Sequence, residues 1–276
     1  MTEVLTAVAV VAAIGAVCAA VLLVASKLMF VPVNEKEKLI RDVLPGANCG
    51  ACGYTGCDGY AKALAEGQTD KTNLCVPGAD KVSNDIAQIT GLEAADVVEM
   101  VATVRCMGDC GKVGKKSQYR GADSCAAAKM LFGGSSQCTY GCLGYGDCQK
   151  VCPNGAICIE NGVAHVNTRI CTGCGLCAKA CPQGIIALME DVDKVLVTCS
   201  SKDKGAAVRK ICSHGCIACK KCEKNCPTQA VKVENNIAVI DYDKCINCGE
   251  CAKNCPVGCI MVSDFSGIHR FEAKEE

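Results

Sequence analysis

The 276-residue chain carries no excess of either charge: 29 Lys and Arg stand against 29 Asp and Glu, a formal net charge of zero. That removes any bulk electrostatic argument for nucleic acid or an anionic surface as a partner. Histidine is scarce, and His165, His214 and His269 stand apart from one another, so no acid–base constellation forms. No G-x-G-x-x-G leads from a strand into a helix and no Walker-type loop occurs, which leaves no nucleotide site. The N-terminus lacks the basic start and small-residue cleavage site of a secretory signal. This chain alone therefore cannot reduce a nicotinamide.

What it has instead is cysteine, 28 of them. Disulfides suit small secreted proteins with scattered pairs. Here the cysteines fall in quartets, which indicates a reducing, cytoplasmic setting. The pattern is written twice. One copy reads Cys138, Cys142, Cys148, Cys152-Pro153, then Cys171, Cys174, Cys177, Cys181-Pro182. The other reads Cys216, Cys219, Cys222, Cys226-Pro227, then Cys245, Cys248, Cys251, Cys255-Pro256, offset from the first by 74 positions at Cys152/Cys226, Cys171/Cys245 and Cys181/Cys255.

The run C-x2-C-x2-C-x3-C-Pro is that of bacterial ferredoxins, whose fourth cysteine ligates the neighbouring [4Fe-4S] cluster. Cys171, Cys174 and Cys177 then share a cluster with Cys152, Cys216, Cys219 and Cys222 with Cys255, and Cys245, Cys248 and Cys251 with Cys226. Zinc is the competing reading, but its sites pair separated C-x2-C knuckles and do not run four cysteines into a proline. One loop is incomplete, because Tyr145 stands where the offset predicts the partner of Cys219. Cys138 can replace it, giving Cys138, Cys142, Cys148 and Cys181. Cys106, Cys110 and Cys125 leave room for a sixth cluster, with Cys138, Cys199 or Cys212 as fourth ligand, or are buried free thiols. Cys125 and Cys199 are also 74 apart. Cys158 and Cys259 read as core, and Cys18 as a small apolar residue.

Ahead of the repeats, Val4 to Ala25 is an uncharged run of 22 residues, about 33 Å as a helix at ~1.5 Å per residue, enough to span a bilayer. Lys27, Lys36, Lys38 and Arg41 follow it, so the positive-inside rule places the rest of the chain in the cytoplasm. Val31 to Lys38 reads as a linker. Then comes Asn48-Cys49-Gly-Ala-Cys52-Gly-Tyr-Thr-Gly-Cys57, closing at Cys75-Val-Pro-Gly78. Glycines there allow tight turns around a cluster, and a helix from Asp58 to Glu66 ends at Gly67. Zinc again competes at the C-x2-C pair.

An N-terminal anchor, this glycine-rich cysteine motif and tandem ferredoxin runs together resemble the B subunit of the Rnf complex. That complex is a membrane-bound ferredoxin:NAD oxidoreductase coupled to Na+ or H+ translocation. The resemblance covers the chain to about Val262, in the longer form with two ferredoxin modules. It implies an electron-transfer subunit that takes electrons from soluble reduced ferredoxin and relays them to membrane and flavin/NAD subunits. The N-terminal cluster, nearest the bilayer, is then the exit. A polyferredoxin-like subunit of another membrane oxidoreductase, such as a hydrogenase, is the alternative. A zinc-stabilised interaction scaffold is a second.

The expected architecture is α+β: an anchor over 1–30, an N-terminal [4Fe-4S] domain with connector over 31–104, ferredoxin-like modules over 105–190 and 191–265, and a charged tail over 266–276. The connector reads as a helix with apolar Val82, Ile86 and Ile89, then a β-like run from Val97 to Val104. Short hairpins are expected at Gly162–Val166 and Ile237–Asp241. Five [4Fe-4S] clusters are expected; the three histidines read as surface or core residues, with a hydrogen bond from His214, near Cys216, to a cluster as the alternative. Two basic runs could receive an acidic ferredoxin: Lys112, Lys115, Lys116 and Arg120, or Lys202, Lys204, Arg209, Lys210, Lys220, Lys221 and Lys224.

Overall fold

The structure, a computed structural model, describes residues 2–28, 34–192 and 194–263, and in the first helix the side chains of Thr6 and 12–27 only. The tail expected over 266–276 lies outside the described residues, as do residues 29–33. The first helix, α1, runs Thr2–Leu28. Among the described residues, α1 included, no helix is long and apolar enough to cross a membrane. Along α1, Ile14, Val17, Val21 and Leu22 are exposed.

The expected linker ends early. Asn34 caps a helix, α2 (Glu35–Val43), its side chain accepting from the Lys36 N–H at 3.1 Å. Glu35 and Glu37 in the first turn and Arg41 in the last complement the helix dipole. Two more helices follow, α3 (Cys57–Ala65) and α4 (Ala79–Thr90). They close a small core of Ile40, Tyr60, Leu64, Val82 and Ile86 around Cys57 and Cys75. Gly67 (φ +70°) sits just beyond α3, as expected.

The β-like run becomes a strand, β1 (Met100–Val104), but it is no connector. After the insert helix α5 (Cys125–Met130) and α6 (Asp147–Lys150) come a hairpin of β2 (Ile157–Glu160) and β3 (Val163–Val166), then α7 (Leu176–Ala180) and β4 (Ile186–Glu190). β1 pairs antiparallel with β4, Val104 opposite Ile186. The second module repeats the plan with β5 (Val195–Val197), α8 (Gly205–Ile211), α9 (Lys221–Lys224), a hairpin of β6 (Val231–Glu234) and β7 (Ile237–Ile240), α10 (Glu250–Lys253) and β8 (Ile260–Val262). β5 pairs with β8, Val197 opposite Ile260. Both hairpins turn on two left-handed residues, Asn161-Gly162 and Asn235-Asn236, the type I′ geometry that matches strand twist.

The strand registers correct the repeat. Ile186 and Ile260 are 74 apart, but Val104 and Val197 are 93 apart, so module 1 carries 19 additional residues after its first strand. Cys106 and Cys199, each two residues past that strand, are the structural equivalents. The 74-residue spacing of Cys125 and Cys199 is a coincidence of the insert.

Candidate metal centres

In each set of cysteines burial, and after it the neighbouring thiols, push one thiol above its ordinary range. Burial, then the neighbouring thiols of Cys57, Cys49 and Cys52, push Cys75 up to about 11. Cys49, Cys52, Cys57 and Cys75 thus lie near enough to act on one another. The loop that carries them is bent by Gly50 and Gly53 at φ +67° and +85°, and Asn48 Oδ1 accepts the Cys57 N–H at 2.9 Å. A β-carbon on Gly56 would lie 2.9 Å from that oxygen, so the turn needs glycine there.

In module 1, burial and then Cys171, Cys174 and Cys152 push Cys177 up to about 11. In module 2, burial and then Cys216, Cys255 and Cys219 do the same to Cys222. Cys251 rises to about 11 through burial and the neighbouring Cys245 and Cys226; Cys248 lies three residues before it on the same loop and is exposed. Backbone N–H groups already point at several of these sulfurs: Ala156 at Cys152 (3.3 Å) and Ala102 at Cys171 (3.5 Å). Such donors stabilise thiolate and cluster charge alike.

The incomplete loop is completed differently from expectation. Burial and then Cys142, Cys125 and Cys181 push Cys148 up to about 12. The same four thiols line a cavity walled by Ile159, Ile185 and Ala164. Cys125, in place of the expected Cys138, lies beside Cys142, Cys148 and Cys181, and Cys138 lines another cavity. The insert makes this possible. Ser124 caps α5, and Asp147 Oδ2 accepts from Ser124 Oγ (2.9 Å) and the Ala126 N–H (3.0 Å), which fixes Cys125 at the helix start. Tyr119 of the insert packs edge-on against Tyr145, ring centroids 5.1 Å apart. The grouping of Cys106, Cys110 and Cys125 at one site is likewise not what the structure shows: Cys110 is exposed, and Cys106 lies with Cys138, Cys199 and Cys212 at another cavity.

Among the described residues no three His, Cys, Asp or Glu side chains are gathered closely enough for one metal ion. Four sulfurs on one zinc would be drawn to within about 3.8 Å of each other by bonds of ~2.3 Å. Of the quartets, Cys125, Cys142, Cys148 and Cys181 line one void, an arrangement that suits a cube better than a single ion.

The N-terminal unit rests on module 1: Lys179 Nζ, on α7 beside Cys177, donates to the Cys49 carbonyl at 2.6 Å. The two basic runs differ. Lys112 is paired with Asp109 at 2.8 Å, and Lys116 is bonded to the Phe132 carbonyl at 2.7 Å. The cations of the second run are exposed, as are Lys115, Lys116 and Arg120 of the first; Lys220 and Lys221 adjoin the exposed Cys219 in the chain, and the second run has no ion pair among the described residues.

An Fe-S cluster family model matches residues 44–77, and a 4Fe-4S dicluster domain matches 170–230 and 215–259. The B subunit of the proton-translocating ferredoxin:NAD(+) oxidoreductase complex of Clostridium ljungdahlii is 45% identical over 242 residues, 87% of this chain and 85% of the relative. The B subunit of the ion-translocating oxidoreductase complex of Methanosarcina acetivorans is 40% identical, over 87% and 91%. The B subunit of the Na(+)-translocating ferredoxin:NAD(+) oxidoreductase complex of Acetobacterium woodii is 41% identical, over 81% and 67%.

Proposed function

The chain belongs to the B-subunit family of ion-translocating ferredoxin:NAD(+) oxidoreductase complexes and is an iron–sulfur electron-transfer subunit, and we propose that it takes electrons from reduced ferredoxin at module 2 and releases them at its N-terminal site. [4Fe-4S] clusters supply one-electron steps, near −400 mV for ferredoxin types. We assign five to Cys49/Cys52/Cys57/Cys75, Cys125/Cys142/Cys148/Cys181, Cys152/Cys171/Cys174/Cys177, Cys216/Cys219/Cys222/Cys255 and Cys226/Cys245/Cys248/Cys251. The protein's own work is to hold these thiols, aim amides at them and keep them beside one another. Each ferredoxin molecule oxidised gives one electron to this chain, and the other subunits of the complex accept it.

The observation that carries the direction is the asymmetry of the two ends. Module 2 presents exposed, unpaired Lys220 and Lys221 beside exposed Cys219 in the chain, a face complementary to an acidic ferredoxin. The N-terminal unit is clamped to module 1 by Lys179 and follows α1. The same proposal makes α1 a single-pass anchor in the cytoplasmic membrane. Its support is the uncharged run Val4 to Ala25 with Lys27 after it, which leaves the cysteine sites on the cytoplasmic side.

One experiment tests both parts. In inverted membrane vesicles, which expose the cytoplasmic face, Lys220→Glu with Lys221→Glu should slow reduction by ferredoxin about tenfold at low salt. Lys115→Glu with Lys116→Glu should leave it unchanged. An unaltered rate in the first variant would remove the docking face, and equal reduction in right-side-out vesicles would remove the sidedness.

A further inference from the structure

Between the two modules lies a cavity lined by four cysteines that none of the five quartets uses. Cys106 and Cys138 come from module 1, Cys199 and Cys212 from module 2. The pairs are related by the repeat: Cys106 and Cys199 each stand two residues beyond the first strand of their module, and Cys138 and Cys212 are 74 apart. The cavity has about 500 Å³ of empty space, open solvent included, against about 360 Å³ on the same measure for the module 1 quartet. There is room for the same group.

The walls are built for sulfur. Cys106 Sγ accepts from the N–H groups of Gly108 and Cys142, both at 3.4 Å, and Cys199 Sγ from those of Ser201 (3.5 Å) and Cys216 (3.4 Å). A β-carbon on Gly108 would stand 3.7 Å from the sulfurs of both Cys106 and Cys212, and one on Gly141 3.5 and 3.6 Å from those of Cys138 and Cys106. Sulfurs equidistant from one point can be no further apart than twice that distance, so members of the two modules already face each other across one void. The modules are tied at this place by Ser213 N–H to the Lys112 carbonyl (3.2 Å) and Ser200 Oγ to the Arg105 carbonyl (2.8 Å). His214 lines the cavity too, and its Nε2 is buried with no hydrogen-bond partner among the described residues. The hydrogen-bonding capacity of that nitrogen is unused.

We propose that Cys106, Cys138, Cys199 and Cys212 hold a sixth [4Fe-4S] cluster, shared by the two ferredoxin modules and linking their electron paths. The link is structural. Cys142 is a ligand of the module 1 site and its N–H bonds Cys106; Cys216 is a ligand of the module 2 site and its N–H bonds Cys199. An electron entering module 2 thus meets the bridging site before module 1. The inference rests on the iron–sulfur reading above but fails separately from it.

The test is native mass spectrometry with iron and sulfide analysis on the full chain purified without oxygen. Six cubes, about 24 irons, are expected against about 20 for five. Cys106→Ser and Cys199→Ser should each lose one cube, and the two together should still lose one. Cys158→Ser should lose none. Five cubes in the unaltered chain would overturn the proposal, and needs no variant to fold. So would one zinc lost on either substitution, or two cubes lost from the double variant. A chain without iron would instead overturn the iron–sulfur reading itself.

Discussion

Each ferredoxin loop needs two left-handed residues between its outer cysteines, and this chain fills those positions unevenly. Gly144 and Gly146, Gly173 and Gly175, and Asn247 and Gly249 suit them; in the remaining loop they are Ala218 and Lys220, at φ +53° and +58°. A side chain there costs about 1 kcal/mol, so a lysine held at such a place is consistent with use of its charge for docking. A second residue-scale asymmetry is Cys259. It is buried, 74 positions after the equally buried Ile185, and its sulfur lies 3.7 Å from that of Cys255. Hydrogen bonding with Cys259 holds the Cys255 and Cys216 thiols below their ordinary range. A donor to ligand thiolates favours the more negative, reduced state, so it raises the potential. Cys259→Ile should therefore lower one cluster potential by roughly 40 mV, the equivalent of about 1 kcal/mol for one electron. Redox titration followed by EPR reads this directly. An unmoved potential would mean that Cys259 only fills space.

At the scale of elements, the proposed assignment makes the insert in module 1 the holder of one cluster ligand. Its short helix α5 has six residues, too few to be stable alone, and Asp147 holds its start. The Asp147 carboxyl is held below its ordinary range: burial opposes this, but the Ala126 N–H and the Ser124 hydroxyl outweigh it. Cys125→Ser should remove the cube at Cys142, Cys148 and Cys181. Asp147→Ala, which leaves every thiol in place, should speed its loss in air roughly tenfold, the effect of about 1.4 kcal/mol from a charged hydrogen bond. Absorbance decay at the cluster band measures it, and an unchanged rate would show that α5 is fixed by other contacts. The insert also marks what could be read in advance. Three quartets were legible because their ligands lie within one local run and its partner. Cys125 was not, because it reaches its site from a separate helix. The usable signal was unequal spacing: 32 residues separate Cys106 from Cys138, but 13 separate Cys199 from Cys212. The membership of β1 in module 1 was hidden for a similar reason, since its partner β4 lies more than eighty residues away. The start of α2 was readable at Asn34, but the charged sequence after it resembled a linker.

For the whole molecule, cysteine stands where larger proteins place leucine and phenylalanine. The module 2 core is Val195, Val197, Val231, Ile237, Ala238, Ile240 and Ile260 closed around Cys199, Cys216, Cys222, Cys251 and Cys259. Module 1 is built likewise around Cys106, Cys148 and Cys177. Domains of this size bury too little apolar surface to be secure alone, so ligand binding contributes folding free energy. The N-terminal unit differs in having three helices that pack Ile40, Tyr60, Leu64, Val82 and Ile86. Stripping the iron with a chelator should therefore unfold the molecule unevenly. Amides of β5 and β8, joined by only three residue pairs, should lose their protection from hydrogen exchange altogether, while part of α4 keeps it. Mass-spectrometric exchange on the stripped full chain distinguishes the two. Retained protection throughout module 2 would show that its apolar residues suffice, and that the thiols serve electron transfer without supporting the fold. Loss confined to the modules would tie their folding to the same sulfurs that carry the relay.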